Sequence, residues 1–288
     1  MLKPIEAQGG TGMTSFHILT SGSEIQEFPV VRKIGFADLR DSLVEGFHDF
    51  LAMPSHLLFL ALIYLVIGIF LFPTSSGQNA LPLLFPLLAG YALIGPFAAI
   101  GLYEVSRRRE QGLPHSSDYA FSVLRSPAMP SILAVGFTLM VIFLLWLATA
   151  QALYQSLFGV WAPQSWGHFL NQLFTTHAGH RLLAFGVGIG FVYAVIAFAI
   201  GAISFPLLLD QDVGAAVAIL TSVKAVLKNP LVMAAWALII AAALAAGMAT
   251  FFVGLAIATP ILGHATWHLY RRVVAPADSE ARLSPAAG

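Results

Sequence analysis

Residues 50–103 contain no Asp, Glu, Lys or Arg. A run of that length, dense in Leu, Ile, Phe and Ala, is too long for one buried helix, but it fits two bilayer crossings of about 20 predominantly apolar residues each. The turn between them is supplied by "FPTSSGQNALP" at 72–82. From Ser126 to Leu209 only Arg181 interrupts, which predicts a helix near 129–153, a polar-aromatic loop and a second helix near 182–206. Residues 229–270 are again uncharged and hold two helices joined tightly around "AAGM" at 245–248. The fold class expected is all-α: a polytopic membrane protein with six transmembrane helices in three repeated hairpins. Charged residues make up only 10% of the chain and hydrophobic ones 58%, against about 25% and 45–50% in soluble domains, so lipid is the solvent for most of it.

Placing segments 1–50, 104–128, 207–230 and 271–288 on one side collects every Lys and Arg except Arg181. The positive-inside rule makes that side cytoplasmic, with both termini inside. The chain divides into a cytoplasmic tail at 1–34, a membrane domain at 35–272 and a tail at 273–288, both tails expected to be disordered. No apolar run of signal-peptide length lies near the start, so the N-terminus is expected to be retained. The lack of cysteine removes disulfides, thiolate metal sites and c-type haem attachment, which leaves His, Asp and Glu as strong side-chain ligands. There is no basic footprint for nucleic acid.

The hairpins look like copies of one unit, over approximately 36–109, 115–210 and 212–272. "AMPSHLLFLALIYLVIGIFL" (52–71) and "AMPSILAVGFTLMVIFLLWL" (128–147) share their opening, and "KNPLVMAAWALIIAAALAAG" (228–247) begins the third. Pro54, Pro130 and Pro230 each open a helix where a missing N–H is harmless. A short cytoplasmic amphipathic helix precedes each proline. In the first, Phe36, Leu39, Leu43, Phe47, Phe50 and Leu51 form the apolar face, with Asp38, Arg40, Asp41, Glu45, His48 and Asp49 opposite. In the third, Asp212 is expected to cap the start, and Lys224 and Lys228 to suit the C-terminal dipole. The middle one is "DYAFSVLR" from Asp118. The closing helices of repeats one and three align without a gap: Tyr103 falls opposite Trp267, Glu104 opposite His268, and Arg107 and Arg108 opposite Arg271 and Arg272.

"GPFAAIGLYEVSRRRE" (95–110) followed by "TPILGHATWH" (259–268) resembles a proteobacterial family of predicted integral membrane proteins, domain of unknown function 2189. The resemblance spans roughly residues 35–272. It implies a bacterial inner-membrane location and carries over no activity, cofactor or site residue.

Four groups of residues are candidates for function. His264 and His268, one turn apart, share a helix face and could ligate a metal or haem, with Glu104 or His56 joining if the repeats close around an axis. The alternative is a membrane-boundary motif in which aromatics and arginines set helix depth and Glu104 pairs with Arg107 or Arg108. His264 lies deeper than His268 and must face the bundle or a wet cavity. Gly95-Pro96 and Thr259-Pro260 are candidate helix breaks of the kind that line transporter sites. His168, His177, His180 and Arg181, in an outer segment anchored by Trp161 and Trp166, could cap a metal or anion, or simply lie on the membrane. Small residues at Gly186 and Gly190, and at Ala241 and Ala245, are expected at helix contacts.

No nucleophile-base pair, phosphate loop or redox motif appears, so the expectation is a non-enzymatic protein with no cofactor. The leading reading is an accessory, scaffold or assembly component of a membrane complex. A small-solute transporter or channel between the repeats is the first alternative, and a haem or metal protein through His264 and His268 the second. The bilayer and a membrane-protein partner are the expected contacts, with nucleic acid excluded.

Overall fold

In a computed structural model, residues 28–53, 99–114, 117–160, 165–211, 213–250 and 253–276 are described. The first hairpin, with Pro54, His56, Gly95 and Pro96, lies outside them, as do Trp161 and Asp212. Nine α-helices and one 3₁₀ helix are present among the described residues: α1 Phe36–Ala52, α2 Ile100–Glu110, the 3₁₀ helix Ser117–Arg125, α3 Met129–Phe158, α4 Trp166–Thr175, α5 His177–Gly201, α6 Ser204–Asp210, α7 Ala215–Lys228, α8 Pro230–Ala249 and α9 Leu255–Val273.

Three helical stretches are long and apolar enough to cross a membrane: Met129–Phe158, His177–Asp210 and Pro230–Ala249. Prolines occupy the first turn of α3 and of α8, where no intrahelical donor is lost. The long helices carry their apolar side chains outward: Phe137, Phe191 and Leu238 are each about 70% exposed. Of α5 only Gly179, Gly190, Ala197 and Gly201 are buried. Gly190 lies against Trp146 of α3, and Thr149 and Tyr193 hydrogen-bond at 3.0 Å across the same pair. Ala241 and Ala245, expected at a helix contact, are exposed.

The last helix behaves differently. Interrupted by Thr259, His264, Thr266, His268, Arg271 and Arg272, α9 does not reach the apolarity of the three long stretches, and most of its residues are buried. α1, α2, α6 and α8 all pack on it. Ile203, Phe205, Leu208, Met233, Trp236 and Leu269, each at most 1% exposed, belong to one hydrophobic core cluster.

Several boundaries move from their sequence positions. α8 continues through "AAGM" to Ala249 and α9 begins at Leu255, and Gly247 packs against the Leu255 backbone too closely for a Cβ. The outer segment forms α4 from Trp166, capped by Ser165, and α5 starts at His177, capped by Thr176, because two hydroxyl side chains each accept a first-turn N–H. α7 starts after Gly214 at φ +74°. Its lysines serve the N-terminal segment: Lys228 donates to the Val31 carbonyl at 2.7 Å, and Lys224 lies over the Phe28 ring.

That segment is ordered where the sequence suggested a disordered tail. Val31 and Val274 form an antiparallel bridge, and the Asn229 side chain takes the Ile34 N–H at 2.9 Å and donates to the Arg32 carbonyl at 3.0 Å. Polar backbone pairing, invisible to hydropathy, ties residues 28–34 to residues 273–276 and to the start of α8.

Candidate functional site

The site is built where α1, α2 and α9 cross. A Cβ at Gly46 would fall 2.6 Å from the Ala265 Cα, and one at Gly263 would fall 2.5 Å from Leu102 of α2 and 3.4 Å from Ala99. Gly46 therefore lets α1 meet the α9 backbone, and Gly263 leaves room for the Leu102 side chain of α2. This sets α1's inward face: Leu39, Ser42, Gly46 and Asp49 are buried, while Phe36, Phe47 and Leu51 are exposed. The expected apolar face is split, and Asp49 from the expected polar face goes inside. Close approach and ion pairing outweigh apolar periodicity here.

Asp49, 4% exposed, is the hub. Its Oδ1 accepts from Arg109 Nη1 at 2.6 Å, and its Oδ2 accepts from Ser106 Oγ at 2.6 Å and pairs with His268 Nε2 at 2.9 Å. Ser106 Oγ also lies 2.7 Å from His264 Nδ1. His268 Nδ1 is 3.2 Å from Glu45, which is held by both terminal nitrogens of Arg272 at 2.9 Å. The chain thus runs from His264, 0% exposed, through Ser106 and Asp49 to His268 and the half-exposed Glu45. The far ring nitrogen of His264, Nε2, is buried and has no hydrogen-bond partner among the described residues.

Electrostatics follow from these contacts. Burial pushes the Asp49 carboxyl up, but hydrogen bonds from His268 and Ser106 and the charges of His268 and His264 outweigh it, so its pKa lies below the ordinary carboxylate value. Hydrogen bonding from Arg272 holds Glu45 below its ordinary value against a smaller opposing effect of burial.

His264 and His268 do share a face, but they meet through Ser106 and Asp49 rather than around a common ligand position. Glu104, 2% exposed, does not join them: it accepts from Arg107 at 2.8 Å and Arg108 at 2.7 Å, three and four residues on. His56 is outside the described residues. Thr259 and Pro260 are buried, and α9 runs through them without a break. His168, His177, His180 and Arg181 are exposed on α4 and α5, and the His180 ring bonds the Phe174 carbonyl at 2.9 Å. Among the described residues no group of three or more His, Asp or Glu is arranged to hold a metal ion.

Sequence reading missed Asp49, Ser106, Arg109 and Glu45 as site residues. Asp49 was legible only as one more charge on an amphipathic helix. Ser106 sits inside "EVSRRRE" with nothing to mark it. Their juxtaposition with α9 is tertiary.

A second ion cluster lies beside the first. Asp210 of α6 accepts from the Tyr270 hydroxyl at 2.7 Å and from Arg271 at 3.0 Å, and Arg271 reaches Glu110 of α2 at 3.0 Å. Glu110 also takes the Trp267 indole N–H at 2.9 Å. The aligned aromatics and arginines of α2 and α9 are thus used for cross-helix and local pairing.

Residues 84–210 match the model of the family described as predicted integral membrane protein (DUF2189). The matched span includes "GPFAAIGLYEVSRRRE" and ends before α9. No curated protein matches the chain. No solved structure matches it. Family match and apolar helices together make this an integral membrane protein.

Proposed function

We propose that the protein is a non-enzymatic, six-crossing inner-membrane protein with both termini cytoplasmic, and that it acts as an accessory or assembly component of a membrane complex. In this reading the chain is three hairpins, each led by a cytoplasmic helix: α1, the 3₁₀ helix and α7. The mutual packing of α2, α6 and α9, which close the three units, supports the repeat. The observation that carries the accessory reading is the way charge is spent at the cytoplasmic end. Glu45, Asp49, Glu110 and Asp210 each bond cations on another helix, and Phe205, Leu208, Met233, Trp236 and Leu269 are buried in one hydrophobic core. Such an arrangement fixes shape, whereas a solute carrier needs a path and an element that moves.

Mild-detergent purification of the tagged protein from its native membrane, with quantitative mass spectrometry of what co-elutes, tests this. One membrane protein at near-stoichiometric ratio is the expected result. A homogeneous particle of this chain alone would overturn the accessory reading.

A further inference from the structure

Arginine and lysine are used differently in this fold. Every carboxylate whose side chain is described, from Asp38 to Asp210, lies within 4.0 Å of an arginine nitrogen. The described lysines, Lys33, Lys224 and Lys228, enter no ion pair among the described residues, and all of them are exposed. They are also brought together. Lys224 and Lys228, four apart, share a face at the end of α7. The next residue, Asn229, takes the Ile34 N–H at 2.9 Å and donates to the Arg32 carbonyl at 3.0 Å, which pins the backbone of Lys33 beside them. Arg32 itself is turned away, donating to the Val274 carbonyl at 2.9 Å. An ammonium carries three donors, and most of these stay open: Lys228 gives one to the Val31 carbonyl at 2.7 Å, Lys224 stands 4.1 Å from the Phe28 ring centroid, and Lys33 makes no hydrogen bond among the described residues.

We propose that Lys33, Lys224 and Lys228 hold the phosphate of an anionic phospholipid at the start of α8. Pro230 opens that helix directly after the cluster, and α8 is long and apolar enough to cross a membrane, so the lysines stand where a bilayer places its headgroups. Unpaired cations there meet their complement in a lipid phosphate, to which an ammonium donates charge-assisted hydrogen bonds. The surroundings fit a lipid better than a soluble anion. Phe28, Val30, Leu227 and Leu231 are exposed apolar side chains on the same elements as the lysines, and a free phosphate has no use for them. Below the cluster, Leu231, Leu238 and Ala245 are exposed at intervals of seven, which puts them on one side of α8, where acyl chains can lie. A phosphatidylglycerol headgroup keeps its full negative charge for the lysines, whereas phosphatidylcholine brings a cation of its own. This inference goes beyond the accessory reading; it depends neither on a protein partner nor on which side of the membrane the cluster faces.

The test is native mass spectrometry of the full chain in a neutral detergent, titrated with phosphatidylglycerol or with phosphatidylcholine of the same acyl chains. The wild type should take up its first phosphatidylglycerol more tightly than phosphatidylcholine by about tenfold or more. Lys33→Gln, Lys224→Gln and Lys228→Gln combined should bring the two affinities level. Arg40→Gln, Arg125→Gln and Arg181→Gln combined remove the same charge from exposed positions elsewhere and should leave the preference in place. Equal affinity of the wild type for both lipids would overturn the site. So would an equal loss in the two triple variants, since net charge alone would then explain the binding. Inorganic phosphate in large excess should leave the lipid bound; full displacement by it would mean that the lysines take a phosphate group and not a lipid, and would overturn the proposal. Should the lysine triple variant fail to fold because Lys228 no longer holds the Val31 carbonyl, Lys33→Gln with Lys224→Gln keeps that bond, and it should lower the preference by about fivefold or more.

Discussion

Asp49 collects three donors because no single one compensates a carboxylate removed from water. Arg109 supplies charge, His268 a second donor on the other oxygen, and Ser106 a short neutral bond. Glu45 is held in the same way, more openly, by Arg272. Both carboxyls ionise more readily in the folded protein than in an unfolded chain. In acid the unfolded form therefore binds more protons. Their contribution is complete above the unfolded carboxylate range, about pH 4, and is lost as pH falls through the lower folded values. Since both groups join α1 to α9, hydrogen exchange in α1 should be protected at pH 7 and become fast below about pH 4, while the long helices α3 and α5 remain protected. Protection of α1 that is unchanged across that range would contradict the assignment. Double replacement by Glu45→Gln and Asp49→Asn should remove the pH dependence and leave α1 weakly held at both pH values.

At the scale of elements, the crossing of α1 over α9 rests on Gly46. A side chain there meets the Ala265 backbone, which cannot rotate aside as a rotamer can. Gly46→Leu should destabilise the crossing by about 1–3 kcal/mol, the usual cost of overpacking, and separate Asp49 from His268. Heating in detergent should then show an earlier loss of α1 protection than in the wild type. Gly167→Leu, at an exposed position on α4 with no neighbour near its Cβ, should leave it unchanged. An equal effect from both would mean that the crossing is not what Gly46 serves. The same pair of helices shows what was legible in the sequence. Hydropathy found α3, α5 and α8, since long uncharged runs have few other outcomes, and proline positions marked the starts of α3 and α8. His264 stood out because an ionisable group on an apolar helix requires an explanation. Asp49 and Ser106 did not, because their roles come from contacts 57 and 158 residues away in the chain, which no local period encodes. The inward face of α1 was misread for a related reason: Ser42, Gly46 and Asp49 share it with Leu39, while Phe36, Phe47 and Leu51 point away.

At the scale of the molecule, the question is how many times the chain crosses, and whether α9 is one of the crossings. Its enclosed position distinguishes it from α3, α5 and α8, yet 19 helical residues rise about 28 Å at 1.5 Å each, close to the roughly 30 Å of a hydrocarbon core. Protein rather than lipid would then cover its polar groups, which the bilayer permits. The absence of cysteine makes this measurable, because each introduced thiol is the single reactive one. On the proposed orientation, Val160→Cys, just past the C-terminal end of α3, should react with a membrane-impermeant maleimide added to intact cells; Leu124→Cys, in the 3₁₀ helix, should react only after permeabilisation. Both side chains are at least 70% exposed, so reactivity reads sidedness rather than burial. Val253→Cys, in the joint between α8 and α9, and Gly288→Cys at the end of the chain test α9 in the same way. Val253→Cys reacting from outside and Gly288→Cys only from inside would establish α9 as a crossing and put the His264–Asp49 chain at its cytoplasmic end. If both react from one side, α9 does not cross. The six-crossing proposal would then fail, while the hydrogen-bond geometry from His264 to Asp49 stayed intact.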